Sequence, residues 1–143
     1  MVTLQRHDNG WGDAGTLWGN PVMTVYVAQK RYAHELMERA RYFTVTTFDD
    51  MKVADYMGHH SGRDGDKAKA LGLHVAYTKH DAPYFTEATG VYECEIMYGQ
   101  QLSTSVFRND VPRKLYSNFP AGIHSMYIEL CVCCYSFSFV GKL

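Results

Sequence analysis

The stretch Trp11-Gly12-Asp13-Ala14-Gly15-Thr16-Leu17-Trp18-Gly19-Asn20-Pro21, with the apolar run Val22-Met23-Thr24-Val25-Tyr26-Val27 directly behind it, decides how this chain is read. Residues 22–27, introduced by Pro21 and rich in β-branched side chains, predict a buried strand. Glycines flank both tryptophans ahead of it. Such a setting lets an indole wall a planar ligand while glycine amides approach the ligand's polar edge. Two core tryptophans beside turns would read the same way.

Working downstream, residues 30–39 carry a helical stripe through Ala33, Leu36, Met37 and on to Ala40, with charges opposite. Residues 42–48 return to strand. Asp49-Asp50 can cap a short helix running through Met57. A second short helix over residues 67–71 ends at Gly72, the residue type suited to a left-handed cap. A short apolar piece at 75–77 and a loop around Pro83 follow. Residues 91–98 alternate as a strand does. Residues 99–123 carry Pro112 and Pro120 and predict an excursion with one helical turn. Residues 125–140 read as one long aromatic, Cys-rich strand, or two. Strands split by short helices, without regular βαβ alternation, predict a mainly β chain: an antiparallel barrel with small helices outside. Nothing marks a boundary, so residues 1–143 read as a single domain.

Between the two short helices lies His59-His60-Ser61-Gly62-Arg63-Asp64-Gly65-Asp66-Lys67, nine residues without an apolar side chain. Glycines let the backbone turn and point successive amides into one concavity. A helix starting within the loop adds its free amides and its positive dipole end. Arg63 supplies a planar fork and Lys67 a mobile point charge, a pairing that suits a phosphate monoester. Asp64 and Asp66 suit loop-holding or capping better than anion contact. The other reading is a solvated loop whose charges pair among themselves.

Size and composition exclude several classes. The chain has 143 residues, 46% hydrophobic and 20% charged, as in an ordinary globule. A net charge of −1 gives no electrostatic case for nucleic acid or an anionic membrane. No apolar stretch is long enough to span a bilayer, and no leader pattern opens the chain. Eleven Tyr and seven Phe suit a β-dominated core and a planar ligand. Cys131, Cys133 and Cys134 are too close for an ordinary disulfide framework, so a reduced cytoplasm is expected. The same cysteines lack the second spaced pair that a structural zinc site needs. No nucleophile–base pair stands out, so no catalytic residue is assigned.

Taken in order, Trp11 to Val27, Lys30-Arg31-Tyr32-Ala33, Tyr42-Phe43-Thr44-Val45 and Ser61-Gly62-Arg63-Asp64-Gly65-Asp66-Lys67 closely resemble the flavin reductase-like proteins. His124-Ser125-Met126-Tyr127-Ile128 resembles the start of that family's late strand. The resemblance covers residues 9–72 well and thins toward the C-terminus. It implies a Greek-key FMN-binding split barrel, shortened here at its N-terminal strands, where only residues 1–8 precede the tryptophan segment and Val2-Thr3-Leu4 stands in for a full strand. It implies homodimers with flavin at or near the subunit interface. The implied cofactor is FMN, with NAD(P)H as co-substrate: hydride passes between two rings that the protein mainly positions.

On this resemblance Trp11 and Trp18 border the isoalloxazine. Arg31 lies where the family carries Arg-Tyr-Thr close to FMN, although Ala33 here removes the hydroxyl. Ser61, Gly62, Arg63 and Lys67 receive the phosphate. The late strand departs from the family, which continues through Gly-Glu where this chain has Glu129-Leu130-Cys131. The resemblance also leaves room for a flavin-binding electron carrier without a nicotinamide site, and for a shortened relative that keeps the barrel but binds no flavin.

Overall fold

The computed structural model of the chain describes residues 2–3 and 11–136. In chain order the strands are β1 (Val2–Thr3), β2 (Gly12–Leu17), β3 (Asn20–Ala28), β4 (Tyr42–Thr47), β5 (Val75–Tyr77), β6 (Pro83–Phe85), β7 (Gly90–Gln101) and β8 (His124–Ser136). The helices are α1 (Tyr32–Met37), α2 (Met51–His59), α3 (Lys67–Leu71) and α4 (Asp110–Ser117). Six strands form one sheet in the order β1-β4-β7-β8-β3-β2, antiparallel except for the parallel β1–β4 pair. β5 and β6 pair separately.

The expected buried strand is the inner half of a hairpin. β3 alternates over residues 23–27, with Met23, Val25 and Val27 buried. Its partner β2 is exposed along its whole length, so it carries no hydrophobic pattern to read. Trp18 and Gly19 make the two-residue turn, with φ of 52° and 73°. Positive φ at both positions matches the twist of antiparallel strands, which makes Gly19 the natural second residue. A non-glycine at the first position is held by the Asn20 amide, which donates to the Trp18 carbonyl at 2.9 Å.

One face of the sheet carries the core, where Val25, Phe43, Val45, Cys94 and Tyr127 meet Met37 from α1. Arg31 opens α1 in extended backbone. Asp50 and Asp66 cap α2 and α3, and Gly72 closes α3 at φ 65°. These agree with the sequence reading.

The excursion after β7 is longer than expected. A 3₁₀ turn at Thr104–Val106 precedes α4, a helix of two turns where one was expected. Asn109 caps it through the Val111 amide, and Pro112 falls in the first turn, where a missing N–H breaks no helical bond. β8 is one continuous strand. Residues 137–140 of the expected strand and Leu4 of the expected N-terminal strand lie outside the described residues; Val2 and Thr3 pair with Val45 and Thr46.

Candidate functional site

The polar loop is built by its neighbours. Asp66 Oδ1 accepts the Lys69 amide at 3.1 Å and starts α3. Ser61 Oγ accepts the Arg63 amide at 3.2 Å, and the Ser61 carbonyl accepts the Asp64 amide at 3.1 Å. Gly62 lies flat against the Tyr32 ring: a Cβ there would come within 2.8 Å of Tyr32 Cδ1. Close approach, rather than φ, therefore demands this glycine.

Both expected loop cations have protein partners. Arg63 pairs with Glu35 on α1, donates to the Lys30 carbonyl at 3.3 Å and sits 5.3 Å above the Tyr32 ring. Lys67 Nζ donates to the carbonyls of Met57 at 2.9 Å and His60 at 3.0 Å. It satisfies the last free carbonyls of α2, as a cation at a helix C-terminus does.

Arg31 differs. Among the described residues its guanidinium has no ion-pair partner. Its charge nevertheless reaches both Lys67 and His124. Burial and then Arg31 push the Lys67 ammonium below its ordinary value. The same two causes, in the same order, push His124 down to about 4. The Arg31 charge is thus felt both at the polar loop and at the start of β8.

At the start of β8 lies an aromatic cluster. Trp11 stacks on His124 with centroids 4.3 Å apart and tilts against Phe119 at 5.8 Å. The Tyr116 hydroxyl bonds His124 Nδ1 at 2.8 Å. Trp11, Tyr26, Phe107, Leu115 and Tyr116 border a cleft of about 330 Å³, predominantly apolar and open to solvent. A neutral imidazole under an indole, with a cation beside it, offers a flat apolar wall next to positive charge.

Of the expected site residues, Arg31, Ser61, Gly62, Arg63 and Lys67 gather around the start of α1, and Trp11 joins them through His124 and Arg31. Trp18 does not. It lies at the far end of β2 from Trp11, about 20 Å away at strand rise. Within one chain the two indoles cannot wall the same ring. His124, Tyr116 and Phe119 are additions that the sequence reading did not assign to a site. The one local sign was an imidazole opening a largely apolar strand, and its aromatic partners sit on and just after α4, a helix whose first-turn proline obscured it.

Two buried carboxyls lie on β7 and β8. Glu93 accepts from Thr78 Oγ1 and from His80 Nδ1, the latter at 3.1 Å. Glu129 is fully buried and neither of its oxygens has a hydrogen-bond partner among the described residues, and burial raises its pKa to about 9. It lies in the segment Glu129-Leu130-Cys131, where the chain departs from the family it resembles. A neutral acid in an apolar core is the physical result.

The chain matches the model of the flavin reductase like domain over residues 18–107. No curated protein matches it. Among solved structures it is similar to an FMN-binding protein from Thermus thermophilus with bound p-hydroxybenzaldehyde, at 20% identity and a TM-score of 0.67, covering 91% of this chain and 62% of that one. It is similar to the flavoredoxin of Desulfovibrio vulgaris (Miyazaki F), at 21% identity and a TM-score of 0.67, covering 90% and 59%. A flavoredoxin from Methanosarcina acetivorans gives 23% identity and a TM-score of 0.65, covering 90% and 59%. The chain therefore spans about three fifths of the length of these structures. At such identities the likeness shows the fold, that of the FMN-binding split barrels. With a family match over more than half its length, the chain belongs to the flavin reductase like domain family.

Proposed function

We propose that this chain binds FMN and serves as a flavin-dependent oxidoreductase, with NAD(P)H as the electron donor. The observation that carries the reading is the Arg31 guanidinium, which has no ion-pair partner among the described residues and whose charge reaches both Lys67 and the His124 stacked under Trp11. A cation that has no anion among the described residues calls for one, and a flat apolar wall near it calls for a ring. A ligand with a phosphate at one end and a planar heterocycle at the other satisfies both. Bound FMN supplies a ring that accepts hydride at N5.

The residues fit this group in distinct roles. Arg31 meets the phosphate, with Lys67 behind it. Arg63, Ser61 and Gly62 hold the loop onto α1 and present its amides. Trp11 and His124 border the ring and exclude water. Trp18, at the exposed hairpin tip, reaches a flavin only across a subunit boundary, which agrees with a homodimer carrying its cofactor at the interface. FMN is favoured over FAD because no Gly-x-Gly-x-x-Gly fingerprint is present. The reduced cysteines favour a cytoplasmic setting.

The purified full chain tests the reading. Visible absorption of oxidised flavin, release of FMN on heating, and steady NAD(P)H oxidation with added FMN are the expected results. Recovered FAD would overturn the cofactor assignment. Flavin binding without NAD(P)H oxidation would leave an electron carrier, and a colourless chain that takes up no FMN would reject both.

A further inference from the structure

The pairing of β7 with β8 slips by one residue at the cysteines. Glu93 lies opposite Cys133 and Cys94 opposite Cys131, so Val132 is the extra residue of a β-bulge. Residues two apart on β7, Tyr92 and Cys94, thus face residues three apart on β8, Cys134 and Cys131. In a regular strand positions three apart point to opposite faces. The bulge cancels that alternation and puts Cys131 and Cys134 on one face, with Sγ atoms 3.2 Å apart. Cys133, opposite Glu93, takes the other face.

We propose that Cys131 and Cys134 form a reversible thiol–disulfide site that reacts with small-molecule disulfides. Cys134 is exposed and Cys131 half-buried, so their roles differ. The Cys134 thiolate attacks one sulfur of the disulfide, releasing its first half as a thiol and leaving a mixed disulfide on Cys134. Burial and the neighbouring Cys134 push the Cys131 thiol up to about 12, which makes the next step the slower one. Cys131 gives its proton to solvent, attacks Cys134 Sγ and expels the second half as a thiol. Two protein S–H bonds become one S–S bond, and the small disulfide is reduced to two thiols.

An S–S bond of about 2.05 Å requires the two sulfurs to close by about 1 Å. The closure acts at the bulge, where the ladder is already interrupted and local backbone has room to adjust. Cys94 lies deep in the core, and burial holds its thiol well above the ordinary range. It takes no part in the exchange.

Intact-mass measurement of the full chain after incubation with oxidised glutathione tests the assignment. The native chain is expected to lose two hydrogens and retain no glutathione. Cys131→Ser is expected to stop at one glutathione adduct, Cys134→Ser to resist modification, and Cys133→Ser to behave as the native chain does. An adduct trapped by Cys133→Ser instead, or closure that survives Cys131→Ser, would overturn the pairing. Phenylarsine oxide, which bridges two close thiols, gives an independent reading on the unsubstituted chain. One arsenical per chain, abolished by Cys134→Ser, is expected. No uptake by the native chain would sink the proposal whether or not the variants fold.

Discussion

The Lys67 ammonium donates to the Met57 carbonyl oxygen across 2.9 Å, tying the first turn of α3 to the end of α2. The loop between them is therefore held at both edges before any ligand arrives. Lys67→Met keeps the aliphatic stem but leaves the Met57 and His60 carbonyls to water. The expected loss is about 1 kcal/mol of stability, that of one hydrogen-bonded charge at a half-buried position. Urea unfolding checks it, and an unchanged midpoint would mean that water replaces the ammonium without cost.

Arg31 and Arg63 differ in what already holds them. If Arg31 holds the FMN phosphate as proposed, Arg31→Ala is expected to remove a charge-assisted contact worth roughly 1.5–3 kcal/mol, about tenfold to hundredfold in FMN affinity. Arg63→Ala first releases Glu35 and the Lys30 carbonyl, so its effect on FMN is expected to be smaller. Riboflavin, which lacks the phosphate, is the internal control. Equal losses of FMN and riboflavin in Arg31→Ala would remove the phosphate assignment.

Glu129 makes stability fall as pH rises. Its folded pKa of about 9 lies above the ordinary value of 4.5 for a glutamate. Below 4.5 both states are protonated and the group has no effect. Between 4.5 and 9 the unfolded chain ionises while the folded chain holds its proton, so the folded state binds more protons and loses stability. The slope approaches about 1.4 kcal/mol per pH unit from this group alone. Glu129→Gln is expected to flatten the curve and to be the more stable form at pH 8. Thermal melts from pH 5 to 8 that keep their native slope in the variant would contradict the assignment.

His124 acts in the opposite sense at lower pH. Its folded value of about 4 lies below the ordinary 6.5. Above 6.5 the group is neutral in both states. As pH falls from 6.5 toward 4 the unfolded chain takes the proton first, so stability declines. Trp11 reports the event directly, because a protonated imidazole quenches an indole stacked 4.3 Å away. In a Trp18→Phe background, fluorescence is expected to titrate near 4. A midpoint near 6.5 would show His124 to be solvated.

β2 is an edge strand, exposed over all six residues and hydrogen-bonded to β3 alone among the described strands. Such an edge is commonly covered by a second copy. Light scattering at micromolar concentration is expected to give about twice the 16.3 kDa of the chain. A monomer mass with no heavier species would count against a flavin site shared between subunits.

Local physics made much of the chain legible. β3 showed itself because Pro21 and a β-branched run need only near neighbours to specify a buried strand. Asp50, Asp66 and Gly72 marked helix ends because capping is settled within a few residues. β2 stayed hidden because exposure on both faces removes any pattern, and its turn uses Trp18 where Asn or Asp would have signalled a hairpin. α4 was read one turn short because its first turn holds a proline, although Val111, Leu115 and Tyr116 fall on one face of it.

The sequence by itself determined the fold class, the helix caps and the set of basic residues around the loop, since these depend on residue type and short-range spacing. Tertiary structure alone decided which of those cations lacks a partner among the described residues. Arg63 is occupied because α1 brings Glu35 to it, and Lys67 because α2 ends beside it, whereas the Arg31 charge acts on His124, on a strand more than ninety positions away. It also separated Trp11 from Trp18 and joined Cys131 to Cys134. A strand holds its two ends apart and one bulged residue reverses the face of all that follow, and neither distance nor face is written in the identity of the residues themselves.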